Sequence, residues 1–87
     1  MATITIYSKS MCPYCDRAKD LLQSKNISFE EIRADLDPEQ LNIMLERSKR
    51  RTFPQIFYGD HHIGGFDDLW ELEQSGDLDK LISTNNT

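Results

Sequence analysis

The first third of the chain changes its hydrophobic period twice, and this pattern restricts the fold more than any other feature. Residues 3–7 alternate polar and apolar side chains that are β-branched or aromatic, which is typical of a strand. After Pro13, apolar residues recur at helical spacing as far as Leu22, and residues 27–32 then predict a second strand. A strand, a helix and a strand in this order predict two parallel strands joined by a right-handed crossover.

The middle of the chain predicts a second helix followed by a hairpin. Asp37 is a suitable N-cap, Pro38 is tolerated at the first helical position, and Gln40 lies three residues after the cap. Residues 54–58 and 61–63 are short runs on either side of a Gly-Asp turn. They predict two antiparallel strands.

The C-terminal part predicts two more helices. One covers residues 67–74 and stops near Gly76, a short final helix covers residues 78–82, and residues 83–87 are expected to fray. The resulting order is β-α-β-α-β-β-α, followed by the short final helix. It predicts an α/β fold in which helices flank a four-stranded mixed β-sheet. Because a chain of 87 residues forms one core, we expect a single domain over residues 1–87.

The charge of the chain argues against a protein that binds nucleic acid in general. Its formal net charge is −5, whereas such proteins normally carry an excess of basic residues. The exception is a basic cluster, which is either a solvated helix end or a site for a small anion: Arg47, Lys49, Arg50 and Arg51. No run approaches the ~20 apolar residues of a membrane span, and the N-terminal residues lack a signal-peptide pattern. We therefore expect a soluble cytoplasmic protein that binds neither nucleic acid nor membranes.

Two cysteines are present, three positions apart, where the first strand gives way to the first helix. A bridge between them closes a loop too short to restrict the unfolded chain much, so redox chemistry or metal binding is the more natural role in a reducing compartment. Cys12 falls at the helix start, where unsatisfied N–H groups and the helix dipole favour a thiolate. Cys15 lies one turn on, on the face of Ala18 and Leu22, and should be more buried. Cys12 is therefore the candidate nucleophile and Cys15 the candidate resolving thiol.

Two buried structural cysteines or a zinc site are alternatives, but structural cysteines would not usually lie on either side of a helix start with a proline between them. A zinc site would need two further ligands, and the histidines of the chain are His61 and His62. Adjacent residues of a strand point to opposite faces, so these two do not complete a site together. We predict no metal site and expect both histidines to be exposed on the hairpin.

Four features occur together at a specific spacing, and through them the chain resembles the glutaredoxins. They are Cys12-Pro13-Tyr14-Cys15, the preceding Lys9, Thr52-Phe53-Pro54, and Gly64-Gly65-Phe66-Asp67-Asp68. The resemblance runs from about Ile4 to Ile82, whereas thioredoxins typically carry Trp-Cys-Gly-Pro-Cys and a longer N-terminal extension. It implies a thioredoxin-like fold and a glutathione-dependent oxidoreductase that reduces protein disulfides and glutathione mixed disulfides through Cys12 and Cys15.

The resemblance also implies a glutathione site beside the cysteines. Glutathione would be an electron-donating co-substrate, with no tightly bound cofactor. Pro54 would be a cis-proline that faces the active cysteine, and Phe53 would offer its backbone N–H and C=O groups to the ligand. The implied contacts are Lys9, Tyr14, Thr52, Phe53, Pro54, Gly65, Phe66, Asp67 and Asp68.

The charges of glutathione match residues of this sequence. Lys9 and the basic cluster can attract the glycyl carboxylate, and the N–H groups of Phe66 and Asp67 at a helix start can hold the γ-glutamyl carboxylate. Asp68 can pair with the amine, or it can cap the helix with Glu71 as its capping-box partner, and both roles can coexist.

Two side-chain roles stay open at this point. Tyr14 either covers the sulfur site or simply packs. The sequence does not say whether Arg47 or Arg51 contacts the ligand.

The partners implied by the resemblance are glutathione and proteins that carry disulfides or are glutathionylated. The sequence does not distinguish ribonucleotide reductase, a reductase of sulfur compounds and glutathionylated proteins in general, and we expect a monomer. Two rival classes remain. Some relatives hold an iron–sulfur cluster between two subunits, which the proline after Cys12 disfavours. A thioredoxin-like protein would be reduced by a flavoprotein reductase instead of glutathione.

Overall fold

The computed structural model of the chain describes residues 3–84. The elements follow one another as β1 (Ile4–Ser8), α1 (Pro13–Ser24), β2 (Phe29–Arg33), α2 (Pro38–Ser48), β3 (Gln55–Tyr58), β4 (His61–Gly64), α3 (Phe66–Ser75) and α4 (Asp77–Thr84). This order agrees with the prediction, including the short final helix. The predicted tail begins too early, because α4 includes Ser83 and Thr84, and residues 85–87 lie outside the described part.

The strands form one mixed sheet in the order β2-β1-β3-β4. β1 pairs parallel with β2, with Ile4 opposite Phe29, and antiparallel with β3, with Ile6 opposite Ile56. β3 and β4 form the predicted hairpin, whose register shifts between Ile56 and Phe57. The parallel crossover and the mixed four-stranded sheet are therefore both confirmed.

Alternate side chains of the central strands feed two separate cores. Ile4 and Ile6 of β1 pack on one face, whereas Tyr7 packs on the other. The first core also contains Ala18, Leu22, Ile56, Tyr58, Ile63, Leu69 and Leu78, and the second contains Ala34, Met44 and Phe57. Helices α1, α3 and α4 thus cover one face of the sheet, and α2 covers the other.

The start of α2 follows the sequence prediction. The carboxylate of Asp37 accepts the N–H groups of Glu39 at 3.1 Å and Gln40 at 3.4 Å, and Pro38 takes the first helical position. The helix ends at Lys49, whose backbone is left-handed with φ 59°. This ending redirects the chain, so that the next residues run towards β3.

The expectation that both histidines are exposed is wrong for His62. His61 is exposed, but the ring of His62 is partly buried and stacks on Phe57 with centroids 4.7 Å apart. As expected for neighbours on a strand, the two side chains differ in their surroundings.

A hydrogen-bonded ion pair ties α1 to the parallel strands. The hydroxyl of Ser8, a fully buried residue, donates to Glu31 Oε2 at 2.6 Å, and Lys19 Nζ lies 2.9 Å from the same oxygen. The hydrogen bond from Ser8 and then the one from Lys19 hold the pKa of Glu31 below its ordinary value of 4.5. The ionised carboxylate is therefore the form that the fold favours.

We expect Glu31→Gln to lower the free energy of unfolding at neutral pH by about 0.5–1 kcal/mol, because the amide loses the charge that Ser8 and Lys19 stabilise. Since the folded-state pKa is the lower one, this stabilisation exists above pH 4.5 and disappears as the pH falls through the folded value. Urea unfolding of wild type and variant at pH 7 and at about pH 3 measures it. Glu30→Gln, at an exposed position of the same strand, is the control. A difference of equal size at both pH values would contradict the prediction.

Candidate active site

The two cysteines lie where the sequence predicts, at the start of α1. Cys12 is the N-cap residue with an extended backbone, and its Sγ accepts the N–H of Cys15 at 3.2 Å. The residues are joined by a disulfide, with Cα atoms 5.2 Å apart. Cys12 is 8% exposed and Cys15 is 1% exposed. Cys12 is thus the outer sulfur, at the positive end of the helix dipole, and Cys15 belongs to the interior.

The loop before Cys12 is anchored to the end of β2. The carboxylate of Asp35 accepts the N–H of Ser10 at 3.1 Å and is itself held by Arg33 at 2.7 and 2.8 Å. Arg33 keeps the pKa of Asp35 well below its usual range, so the anchor is an anion at neutral pH. Met11 follows with φ 53° and is 98% exposed, immediately beside the cysteine pair.

A cavity of about 370 Å³ collects nearly all of the predicted ligand contacts. It is lined by Tyr14, Arg50, Thr52, Phe53, Pro54, Gly65, Phe66, Asp67 and Asp68. The predicted residue that does not line it is Lys9, whose Nζ lies over the Phe53 ring at 5.6 Å from the centroid. Segments that are far apart in the sequence therefore meet at one concave surface, and Lys9 borders it.

The loop that precedes β3 forms part of the cavity lining. The peptide bond between Phe53 and Pro54 is cis, as the resemblance implies, and Pro54 is buried. The N-terminus of α3 packs closely on this loop, since a Cβ atom at Gly65 would lie 3.5 Å from the Pro54 carbonyl oxygen. Backbone groups of both segments thus face the same space.

Asp68 caps α3, but not in the way that the sequence suggests. Helix α3 begins at Phe66 with Gly65 as its N-cap, and Asp68 Oδ2 accepts the Gly65 N–H at 3.0 Å. Asp68 is therefore the third helical residue and not an N-cap paired with Glu71, because the helix already begins at Phe66. Gly64 is required beside it, since φ is 123° there and a Cβ atom would collide with the Asp68 carboxylate.

Arg50 is the basic residue that reaches the cavity. Its Nη1 lies 3.3 Å from Asp68 Oδ2, and both side chains are about half exposed. Arg47, one of the two arginines considered from sequence, turns away: it lies 3.9 Å from the Phe57 ring centroid and donates to the Gly59 carbonyl at 2.8 Å. Arg51 is exposed and does not line the cavity. The sequence feature that could have identified Arg50 is its position directly after Lys49, the C-cap residue of α2.

An aromatic row borders the cavity beside the cysteines. Tyr14 is 53% exposed, and its ring lies 6.0 Å from Phe66, which in turn lies 6.3 Å from Trp70. The guanidinium of Arg17 covers Tyr14 at 5.2 Å. Tyr14 therefore packs on Phe66 and lines the cavity while remaining half exposed.

Neither a metal centre nor a membrane span is found in the described part of the chain. Residues 3–84 contain no group of three or more histidine, cysteine, aspartate or glutamate side chains placed to bind a metal ion. None of the helices in that range has the length and apolar character that crossing a membrane requires.

The chain is similar to known glutaredoxins in both sequence and structure. The family model described as Glutaredoxin matches residues 4–63. Glutaredoxin 3 of Escherichia coli strain K12 is 50% identical over 82 residues, which cover 94% of this chain and 99% of that protein. The solution structure of glutaredoxin from Brucella melitensis matches with 52% identity and a TM-score of 0.84, covering 98% of this chain and 92% of the other. A crystal structure of a buckwheat glutaredoxin–glutathione complex matches with 28% identity and a TM-score of 0.86, covering 95% and 78%.

Proposed function

Because this chain belongs to the glutaredoxin family, we propose that glutathione supplies its electrons and that Cys12 is its nucleophile. The chain is a thiol–disulfide oxidoreductase with the thioredoxin-like fold of that family. The observation that carries the proposal is the position of the Cys12–Cys15 disulfide, at the N-terminus of α1 and next to the cavity that Tyr14 lines.

The difference between the two sulfurs supports distinct roles. Cys12 lies at the N-cap, where the Cys15 N–H already points at its Sγ and the helix dipole stabilises negative charge. The thiolate is the attacking species in disulfide exchange, so this position favours Cys12 as the nucleophile. Cys15 is held in the core one turn further along, within reach of Cys12, and acts as the resolving thiol.

The cavity fits the charges of glutathione. Asp68 lines the cavity and would pair with the γ-glutamyl amine. The γ-glutamyl carboxylate would bind the N–H groups of Phe66 and Asp67 at the start of α3, where negative charge is favoured. Arg50 and Lys9 supply positive charge for the glycyl carboxylate. Arg50 and Asp68 pair with each other, and binding of glutathione would replace this ion pair with two ion pairs to the ligand.

The peptide backbone of glutathione fits the loop before β3. Phe53 and Pro54 line the cavity, where the backbone N–H and C=O of Phe53 would pair with an extended ligand. Thr52, Gly65 and Tyr14 also line the cavity, and Tyr14 lies between the two cysteines in the sequence. A relative in the family has been crystallised as a glutathione complex.

Reduction of a glutathione mixed disulfide needs Cys12 alone. The Cys12 thiolate attacks the glutathione sulfur, the sulfur–sulfur bond breaks, and the substrate protein leaves as a thiolate that takes up a proton. Cys12 then carries glutathione as a mixed disulfide. A second glutathione thiolate attacks that glutathione sulfur, which releases glutathione disulfide and regenerates the Cys12 thiolate.

Reduction of a protein disulfide uses both cysteines. The Cys12 thiolate attacks one sulfur of the substrate and forms a mixed disulfide, and the other substrate sulfur leaves as a thiolate. The Cys15 thiolate then attacks Cys12, which releases the reduced substrate and leaves the Cys12–Cys15 disulfide. Two glutathione molecules reduce this disulfide in turn, through a Cys12–glutathione intermediate, and leave as glutathione disulfide.

We further propose that residues 1–87 act as one domain on proteins that carry disulfides or are glutathionylated, within the cytoplasm. A single sheet with a core on each face supports one domain. A reducing compartment is where reduced glutathione is available and where a short-range cysteine pair serves catalysis more often than stability.

The two routes predict different behaviour of two matched variants. We expect Cys12→Ser to abolish both activities, and Cys15→Ser to keep reduction of a small glutathione mixed disulfide while losing most reduction of protein disulfides. The assay couples glutathione disulfide formation to NADPH through glutathione reductase. Turnover by Cys12→Ser would disprove the assignment of the nucleophile. Wild type that turns over with a flavoprotein thioredoxin reductase but not with glutathione would disprove the electron donor.

The position of Cys12 predicts a pH dependence of its alkylation. In the reduced Cys15→Ser protein, the rate of reaction with iodoacetamide should rise with pH through an inflection below ~8.5, the pKa of free cysteine. The reason is that the helix terminus favours the thiolate. The buried Cys15 in reduced Cys12→Ser is the comparison and should react more slowly. An inflection above about 8.5 for Cys12 would contradict the prediction.

Two substitutions of Asp68 separate its structural role from its proposed role in binding. Asp68→Asn keeps an acceptor for the Gly65 N–H but loses the charge, so stability should stay close to wild type while KM for the glutathione mixed disulfide rises roughly tenfold. Asp68→Ala should raise KM similarly and also lower the free energy of unfolding by about 1 kcal/mol. Unchanged KM in Asp68→Asn would mean that Asp68 is a helix cap only.

A further inference from the structure

We propose that Gln55 and His62 are positioning residues that fix the Thr52 hydroxyl as a hydrogen-bond donor to a carboxylate or carbonyl oxygen of glutathione. This inference rests on the proposed function, since it concerns the ligand of the same cavity. Neither residue lines the cavity. They act through Thr52, which does.

The amide of Gln55 has one orientation that satisfies its neighbours. Gln55 is fully buried, and its Nε2 lies 2.9 Å from the Thr52 carbonyl oxygen and 3.0 Å from Thr52 Oγ1. A carbonyl oxygen only accepts hydrogen bonds, so the NH2 group of Gln55 must face Thr52. The Oε1 of Gln55 must then point the other way, towards β4.

The contact with Gln55 also fixes which ring nitrogen of His62 carries the hydrogen. His62 Nε2 lies 2.8 Å from Gln55 Oε1. Because that oxygen is an acceptor, Nε2 must carry hydrogen, which selects one tautomer of the neutral ring. The ring is held in place by stacking on Phe57, which is 1% exposed and packs edge-on against Tyr7. The position of the His62 ring beside Gln55 is therefore set by the core of the sheet.

The consequence falls on the hydroxyl of Thr52. Its oxygen already accepts from Gln55 Nε2, so its hydrogen is left to point elsewhere, and the residue is exposed at the cavity. The hydroxyl hydrogen is therefore available for an acceptor on the ligand, such as a carboxylate or carbonyl oxygen of glutathione. The same amide engages the Thr52 carbonyl, which steadies the segment leading to the cis peptide bond.

The experiment is a double-mutant cycle on KM for a small glutathione mixed disulfide. Gln55→Met keeps the size and burial of the side chain but removes its hydrogen bonds, and should raise KM about three- to tenfold, equivalent to one hydrogen bond, with little change in kcat. Thr52→Val should raise KM by a similar factor. In the combined variant KM should not exceed that of Thr52→Val by more than about twofold, because both changes remove the same interaction. Gln74→Met, at an exposed position on α3, is the control and should behave as wild type.

A spectroscopic measurement on the wild-type protein tests the geometry directly. Nitrogen-15 NMR of the neutral His62 ring should show the proton on Nε2, and the Nδ1-protonated tautomer would overturn the proposal. His62→Phe keeps the stacking on Phe57 but removes the donor to Gln55, and should raise KM in the same direction. If Gln55→Met does not fold, the cycle of His62→Phe with Thr52→Val decides in its place.

The outcomes separate this inference from the proposed function. Wild type without glutathione-dependent turnover overturns both. Wild type that turns over, with KM unchanged in the folded Gln55→Met protein, overturns the role of Gln55 and leaves the proposed function intact. The role of Gln55 is also overturned if the KM increase of the double variant equals the product of the increases of Gln55→Met and Thr52→Val, because the two residues would then act independently.

Discussion

Parallel pairing of β1 with β2 is the constraint on which the rest of the structure depends. Two parallel neighbours cannot be joined by a tight turn, so the chain must cross one face of the sheet, and α1 is that crossover. Its N-terminus therefore lies at the end of the central strand β1, and the N-cap position is occupied by Cys12. The Ser8–Glu31–Lys19 hydrogen bonds hold this crossover against both strands. A requirement of chain connectivity thus places a sulfur at the positive end of a helix dipole.

The remaining walls of the site come from segments that the sheet brings to the same end. The loop with the cis peptide bond enters β3, the neighbour of β1, and α3 begins directly after β4, the neighbour of β3. Asp68 combines two tasks there, since it caps α3 through the Gly65 N–H and pairs with Arg50 across the cavity. The elements that stabilise the fold at this end are also those proposed to bind glutathione.

Most of the secondary structure, and the position of the two cysteines at the start of α1, were predictable from the local sequence pattern. Helix starts at Pro13 and Pro38, the hairpin turn after Tyr58 and the end of α3 at Gly76 depend on residues close together in sequence. The position of Asp68 was predicted less well. A glycine N-cap has no side chain to mark it, so the start of α3 at Phe66 was placed one residue too late and Asp68 was given the wrong place in the capping motif.

The sequence by itself determined the element order, the mixed sheet, the outer and inner members of the cysteine pair, and most of the residues that line the cavity. Only the tertiary structure decided which arginine lines the cavity. The Arg47 guanidinium contacts the Phe57 ring and the Gly59 carbonyl, whereas Arg50 follows the left-handed end of α2 and lines the cavity. The tertiary structure also decided that His62 is a partly buried partner of Gln55, since that contact joins two antiparallel strands through a register shift. Such contacts depend on distances across the sheet, which no local pattern encodes.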